Sequence, residues 1–237
     1  MTGSGTSWNP GADGPVADVE FRGSLVYAGS AFARAGGADR ANLAAIDVTT
    51  GIADSWAPST DGAVAALAVT ADTVYAGGDF ATLGDLSRAN LGAVSASTGQ
   101  PTAWNPGSNG AVTTLALNSS TATLYASGVF TEAGGRQRMR AAAFGTATGA
   151  VTGWDPSAEE AVNAIAISGS RVLVGGVFSM LNGLPRANAA AIRADGSIDP
   201  AWNPGPNGIV YALAASDDGN TIFLGGAFTA AGGSTAA

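Results

Sequence analysis

The sequence predicts an all-β protein of five wedge-like sheets set around a common axis, and three observations predict it. The phrase "WNPGADGPV" opens at Trp8 and returns in variant form at Trp56, Trp104, Trp154 and Trp202, at spacings of 48 to 50 residues. A second phrase keeps the same beat: "VYAGSAF", "VYAGGDF", "LYASGVF", "VLVGGVF" and "IFLGGAF" end on Phe32, Phe80, Phe130, Phe178 and Phe228. Between the phrases stand turn signals such as "TDGA", "SNGA", "TTG" and "STG", and they bound runs too short for helices.

Each repeat reads as four short antiparallel strands. The first is "VAALAV" (Val64 to Val69), matched by "VADVEF", "VTTLAL", "VNAIAI" and "VYALAA". Strict alternation puts Leu67 and Val69 on one face and Val64, Ala66 and Ala68 on the other. Both faces are apolar, as a sheet sandwiched between two neighbours requires. The second strand is "TVYAGGDF" and the third "ANLGAVS"; the fourth ends on the next Trp, as in "QPTAW". The Ala-rich "RMRAAAFG" is the nearest approach to a helix, but its neighbours in register are strand-like. Repeats three and five hold two extra residues between Trp and Phe, at "NSSTAT" and "SDDGNT", which marks tolerant hairpin loops.

Four strands in a period of 40 to 50 residues is the arithmetic of a β-propeller blade. The coils of a parallel β-helix are shorter than this period, and a two-sheet sandwich has no need of a tryptophan on that beat. The chain therefore divides as one propeller domain with repeat units at about 8–55, 56–103, 104–153, 154–201 and 202–237, the last blade incomplete. "TGSGTSW" matches the ending of the other repeats and is expected to supply a fourth strand to the last blade. Its third strand has no visible source. Three readings stand open: a longer native chain, a thin last blade, or a second chain that completes the blade. The first repeat also differs, with Asp18 and Glu20 where the others place Ala or Thr. Either that face is wetter than its counterparts, or Arg22 or another arginine satisfies the carboxylates.

Composition excludes several function classes. The 237 residues carry 10 Arg, no Lys and 18 acidic residues, for a net charge of −8, so a broad basic footprint for nucleic acid is absent. No Cys excludes thiolate chemistry and disulfides. No His removes the usual general base and the commonest zinc ligand. No apolar run reaches the length of a membrane span, and "MTGSGTSW" is not a signal peptide. No cofactor or metal is expected.

The motif set "WNPG…NG.VYALA…DG..IFLGGAF...GG", clearest from Trp202 to Gly233, resembles the Delta-60 type repeat, a β-propeller repeat family of bacterial secreted and surface proteins. The resemblance implies a propeller module attached to other extracellular domains. It brings no catalytic residues. The fourth copy departs from the pattern at Glu159-Glu160, where the others have an Asn-Gly or Asp-Gly turn.

The five Trp and five Phe read as structural, the indoles as wedges between blades with their N–H on backbone carbonyls. The Gly pairs before each Phe read as sites of close backbone approach rather than phosphate loops. Asp13, Asp61, Asn109 and Asn207 read as turn residues; none sits in a calcium-like cluster. Arg40, Arg88, Arg138 and Arg186 follow four of the Phe at a constant offset, and Asn42, Asn90 and Asn188 follow them by two. With Arg136 and Arg140 they form the candidate ligand-binding set, equally readable as loop ties. The expected function is a non-catalytic binding or scaffolding module, outside the cytoplasm, with a carbohydrate or protein partner. A purely structural repeat and a glycan hydrolase using Asp or Glu are the alternatives.

Overall fold

The computed structural model describes residues 8–235. It is all-β, and its sheets repeat with the sequence. Val16–Arg22, Leu25–Ser30 and Leu43–Asp47 form the first sheet. Ala63–Val69, Thr73–Asp79 and Leu91–Ser95 form the second. Val112–Asn118, Thr123–Gly128 and Ala141–Gly145 form the third; Val162–Ser168, Arg171–Gly176 and Ala189–Arg193 form the fourth. The fifth has Ile209–Ala215 and Ile222–Ala227. Every pairing is antiparallel. Among the described residues no helix is long and apolar enough to cross a membrane.

The expected fourth strand is reduced to a single bridge in each of the first four blades: Ile46 with Ala53, Val94 with Pro101, Phe144 with Val151, and Ile192 with Ile198. One further backbone bond follows, such as Thr102 N–H to the Ala93 carbonyl at 2.9 Å. Then the chain leaves the sheet to put its Trp between blades. Pro101 sits at the bridge itself and has no N–H to extend the ladder. The strand expected from Thr2–Ser7 lies outside the described residues.

The first strand of every blade contains a β-bulge, in blade two between Val64 and Ala66. This corrects the facing read from strict alternation. The extra residue turns Val64 to the same side as Leu67, and both side chains meet Gly29 of the first blade. A Cβ placed on Gly29 would stand 2.7 Å from Val64 Cγ1. Val112 against Gly77 and Val210 against Gly175 repeat the contact, at 2.5 and 2.6 Å. Seams between blades thus lock by a valine entering the space a glycine leaves. Ser127 holds the glycine position of blade three and is fully buried.

The core consists of these seams. Tyr27, Leu43 and Ala45 of blade one cluster with Trp56, Val64, Leu67 and Phe80 of blade two. Tyr75 and Leu91 cluster with Trp104, Val112 and Phe130, and Tyr125 with Trp154, Val162 and Phe178. In each, the tyrosine meets the next blade's tryptophan edge-on, with centroids 4.9–5.1 Å apart. Trp56, Trp104 and Trp154 are buried between blades, whereas Trp8 packs on Phe32 and Ile46 of its own blade. Trp8, Trp56 and Trp104 donate their indole N–H to the carbonyls of Asp47, Ser95 and Gly145; the buried Trp154 N–H has no acceptor among the described residues.

Among the described residues the five blades form an open arc: the first strand of blade five packs on blade four, and no comparable packing joins it back to the first strand of blade one. Val16, Val19 and Phe21 of the first blade and Tyr211 and Phe223 of the fifth are 47–65% exposed.

Candidate functional site

Four of the candidate arginines, Arg40, Arg88, Arg138 and Arg186, bond backbone carbonyls of their own blade. Each follows a two-residue-per-strand hairpin that the sequence reading missed, such as Thr82–Leu83 with Leu86–Ser87. Its signal was the left-handed pair at the tip, Gly84-Asp85 here and Gly134-Gly135 in blade three. Arg88 donates from Nη1 to the Ser87 carbonyl and from Nη2 to the Thr102 carbonyl, at 2.8 and 2.7 Å, and is 8% exposed. Arg138 bonds the carbonyls of Gln137 and Thr152 in the same way and also pairs with Asp155 at 3.4 Å. Arg40 bonds the carbonyls of Asp39 and Asp54, and Arg186 that of Pro185. In all four, Nε is buried without a partner among the described residues. In Arg40, Arg88 and Arg138 the Nη2 donor faces the backbone of the strand that leads into the next Trp.

Asn42, Asn90 and Asn188 are in the left-handed region, with φ of 60–69°, and each donates its amide to a carbonyl of the following blade: Thr60, Ser108 and Pro206. Arg140 takes this position in blade three, with φ of 66°, and its Nε donates to the Glu159 carbonyl. The cluster of three arginines in repeat three therefore divides. Arg138 and Arg140 bind backbone, and Arg136 is exposed on its hairpin.

The turn residues are similarly occupied. Asp13 and Asp61 each accept two backbone N–H groups, from Ala33 and Arg34 and from Ala81 and Thr82, and these hold both carboxyls below the usual range. Asn109 and Asn207 repeat the contact. Glu159 differs: its carboxylate accepts from the Ser179 hydroxyl instead. Asp18 accepts from the backbone N–H of Leu67 across the first seam at 2.7 Å, and of Val19 at 2.9 Å. Burial raises the carboxyls of both Asp18 and Glu20, and Asp18 adds to the rise at Glu20. A backbone amide, rather than Arg22, is what answers Asp18.

The feature left unspent is a groove of about 150 Å³ on the outer face of blade one, lined by apolar side chains including Trp8, Val16, Val19, Val26, Phe32 and Ile46. Position for position these correspond to Trp56, Val64, Leu67, Val74, Phe80 and Val94 of blade two. There the same surface is covered by Tyr27, Leu43 and Ala45 of the preceding blade. The groove is one half of a seam.

No protein-family model matches the sequence, and no curated protein matches it. Solved structures with the same fold are β-propellers. The computationally designed Ika8 protein is similar at 19% identity, with a TM-score of 0.61, over 94% of this chain and 58% of its own. A chain of the mitotic checkpoint complex is similar at 14% identity (TM-score 0.63, 90% and 60%). So is the β-propeller domain of Myceliophteria thermophila Cps50 (Swd1), at 15% identity (TM-score 0.59, 91% and 63%). The chain is a β-propeller fold, and it spans about three-fifths of the length of each of these structures.

Proposed function

We propose that the chain is a non-catalytic binding module that presents the apolar outer face of its first blade to a protein partner. The observation that carries this reading is the groove, because its lining is the surface that the other seams bury against a neighbouring β-sheet. An exposed apolar face of that kind suits a protein partner better than a sugar, which needs convergent polar groups. The absence of His and Cys, and the use of the turn aspartates on backbone amides, support the non-catalytic part. The setting outside the cytoplasm rests on the resemblance to the Delta-60 type repeat and belongs to the same reading.

Binding of the apolar dye anilinonaphthalene sulfonate to dilute protein, alongside a glycan array, tests it. The expected result is saturable dye uptake at one site per chain, lost in Val19→Arg, with no saturable glycan binding. Dye uptake unchanged by Val19→Arg, or glycan binding that persists in that variant, overturns it.

A further inference from the structure

The seams of this protein have two unlike halves. The preceding blade gives a second-strand side chain (Tyr27, Tyr75, Tyr125 or Leu173) and, two residues on, a small residue (Gly29, Gly77, Ser127 or Gly175). The following blade gives its Trp, the bulge valine (Val64, Val112, Val162 or Val210) and an aliphatic three residues later. All four valines are at most 2% exposed.

Both halves of one more seam lie open at opposite ends of the arc. On blade five, Phe223 holds the tyrosine position and is 59% exposed. Two residues on, a Cβ at Gly225 would meet only Ala212, at 3.7 Å, where its counterparts meet a valine at 2.5–2.7 Å. On blade one, Val16 and Val19 hold the valine and aliphatic positions and are 47% and 57% exposed. The hole lacks its knob, and the knob lacks its hole.

Building on the reading above, we infer that the partner is a second copy of this chain, docked head to tail. Blade five of one copy covers blade one of the other. Phe223 enters the apolar groove as Tyr27 enters the equivalent surface of blade two, and Val16 fills the space over Gly225. At its second-strand positions the contact continues an interface the chain already builds from the same residue types, without the third-strand pair that Leu43 and Ala45 supply in the first seam. It is heterologous, since the two surfaces are different patches, so one blocked face stops growth in one direction only.

Solution mass by light scattering tests this with two variants that block opposite faces, Val19→Arg and Phe223→Arg. Wild-type protein at high concentration is expected to show at least twice the 23.0 kDa of one chain. Each variant alone is expected to fall to a single chain. Mixed, they retain one intact face each, and a dimer that grows no further is expected. That rescue also shows that both variants are folded. A wild type that stays at 23.0 kDa overturns the inference, as does a mixture that stays monomeric. Should dye still bind at the groove of such a monomer, the binding-module reading stands and only the choice of partner fails.

Discussion

Val112 of blade three stands in the space left by Gly77 of blade two, its Cγ1 2.5 Å from where a β-carbon would be. Gly77 is thus needed for room. Gly77→Ala is expected to lower stability by about 1–3 kcal/mol through overpacking. The same change at Gly225 meets only Ala212 at 3.7 Å, so it is expected to be neutral or to stabilise by about 0.4–1 kcal/mol. Denaturant midpoints of the two variants, measured on dilute protein, check the contrast.

The tryptophans separate packing from hydrogen bonding. Trp104 donates to the Gly145 carbonyl at 2.9 Å, while the buried indole N–H of Trp154 has no acceptor among the described residues. Phenylalanine removes that N–H in either blade and shrinks the ring by a similar amount. Trp104→Phe is expected to cost about 1 kcal/mol more than Trp154→Phe, the net worth of one hydrogen bond. Equal losses in urea unfolding would contradict it.

Asn90 combines a backbone role with a side-chain role. Its φ is 62°, and its amide donates to the Ser108 carbonyl of the next blade at 3.0 Å. Asn90→Ala is expected to lose both, about 1–2 kcal/mol for the left-handed backbone and about 1 kcal/mol for the bond. Asn90→Gly is expected to recover the backbone part only, and thermal melts of the pair give the split.

Two carboxyls are expected to drive stability with pH in opposite directions. Burial, with Asp18 nearby, raises Glu20, so the folded protein holds that proton more tightly than the unfolded chain does. Its contribution is favourable at low pH and falls as pH rises from the ordinary carboxylate range through the raised value. Asp61 is lowered by the N–H groups of Thr82 and Ala81. Its contribution is present above the ordinary range and lost as pH falls through the depressed value. Glu20→Gln is therefore expected to gain stability at neutral pH and lose that advantage in acid. Asp61→Ala is expected to lose stability at neutral pH and converge with wild type in acid. Denaturation curves at several pH values read both slopes.

The fold was legible because its signals are local and repeat. A Trp and a Phe on one beat, with Gly turns between, mark the repeats and their three main strands without knowledge of distant contacts, though not the loss of the fourth strand to a single bridge. The facing of Val64 was not legible, because a bulge inserts one residue into a period-two pattern and leaves no mark in residue type. The small hairpins were hidden for a related reason. Leu86–Ser87 is too short to show alternation, and only the turn at Gly84-Asp85 marks it. The arginine pattern was visible, but its direction was not. Whether Arg88 faces solvent or the Thr102 carbonyl depends on how strand four leaves the sheet. The groove was beyond reach for a deeper reason: its residues are ordinary core residues. Val16 and Val19 differ from Val64 and Leu67 only in what lies next to them.

The hole-and-valine seam has a consequence for how such chains change length over time. Every repeat brings a small residue on one side, Gly29, Gly77, Ser127, Gly175 or Gly225, and a valine at the facing position on the other. Tandem duplication of about 48 codons therefore inserts a unit already matched to both flanks, and an in-frame deletion leaves the flanking units still matched to each other. Blade number in such a lineage can drift by unequal recombination, with no compensating substitution at the joins.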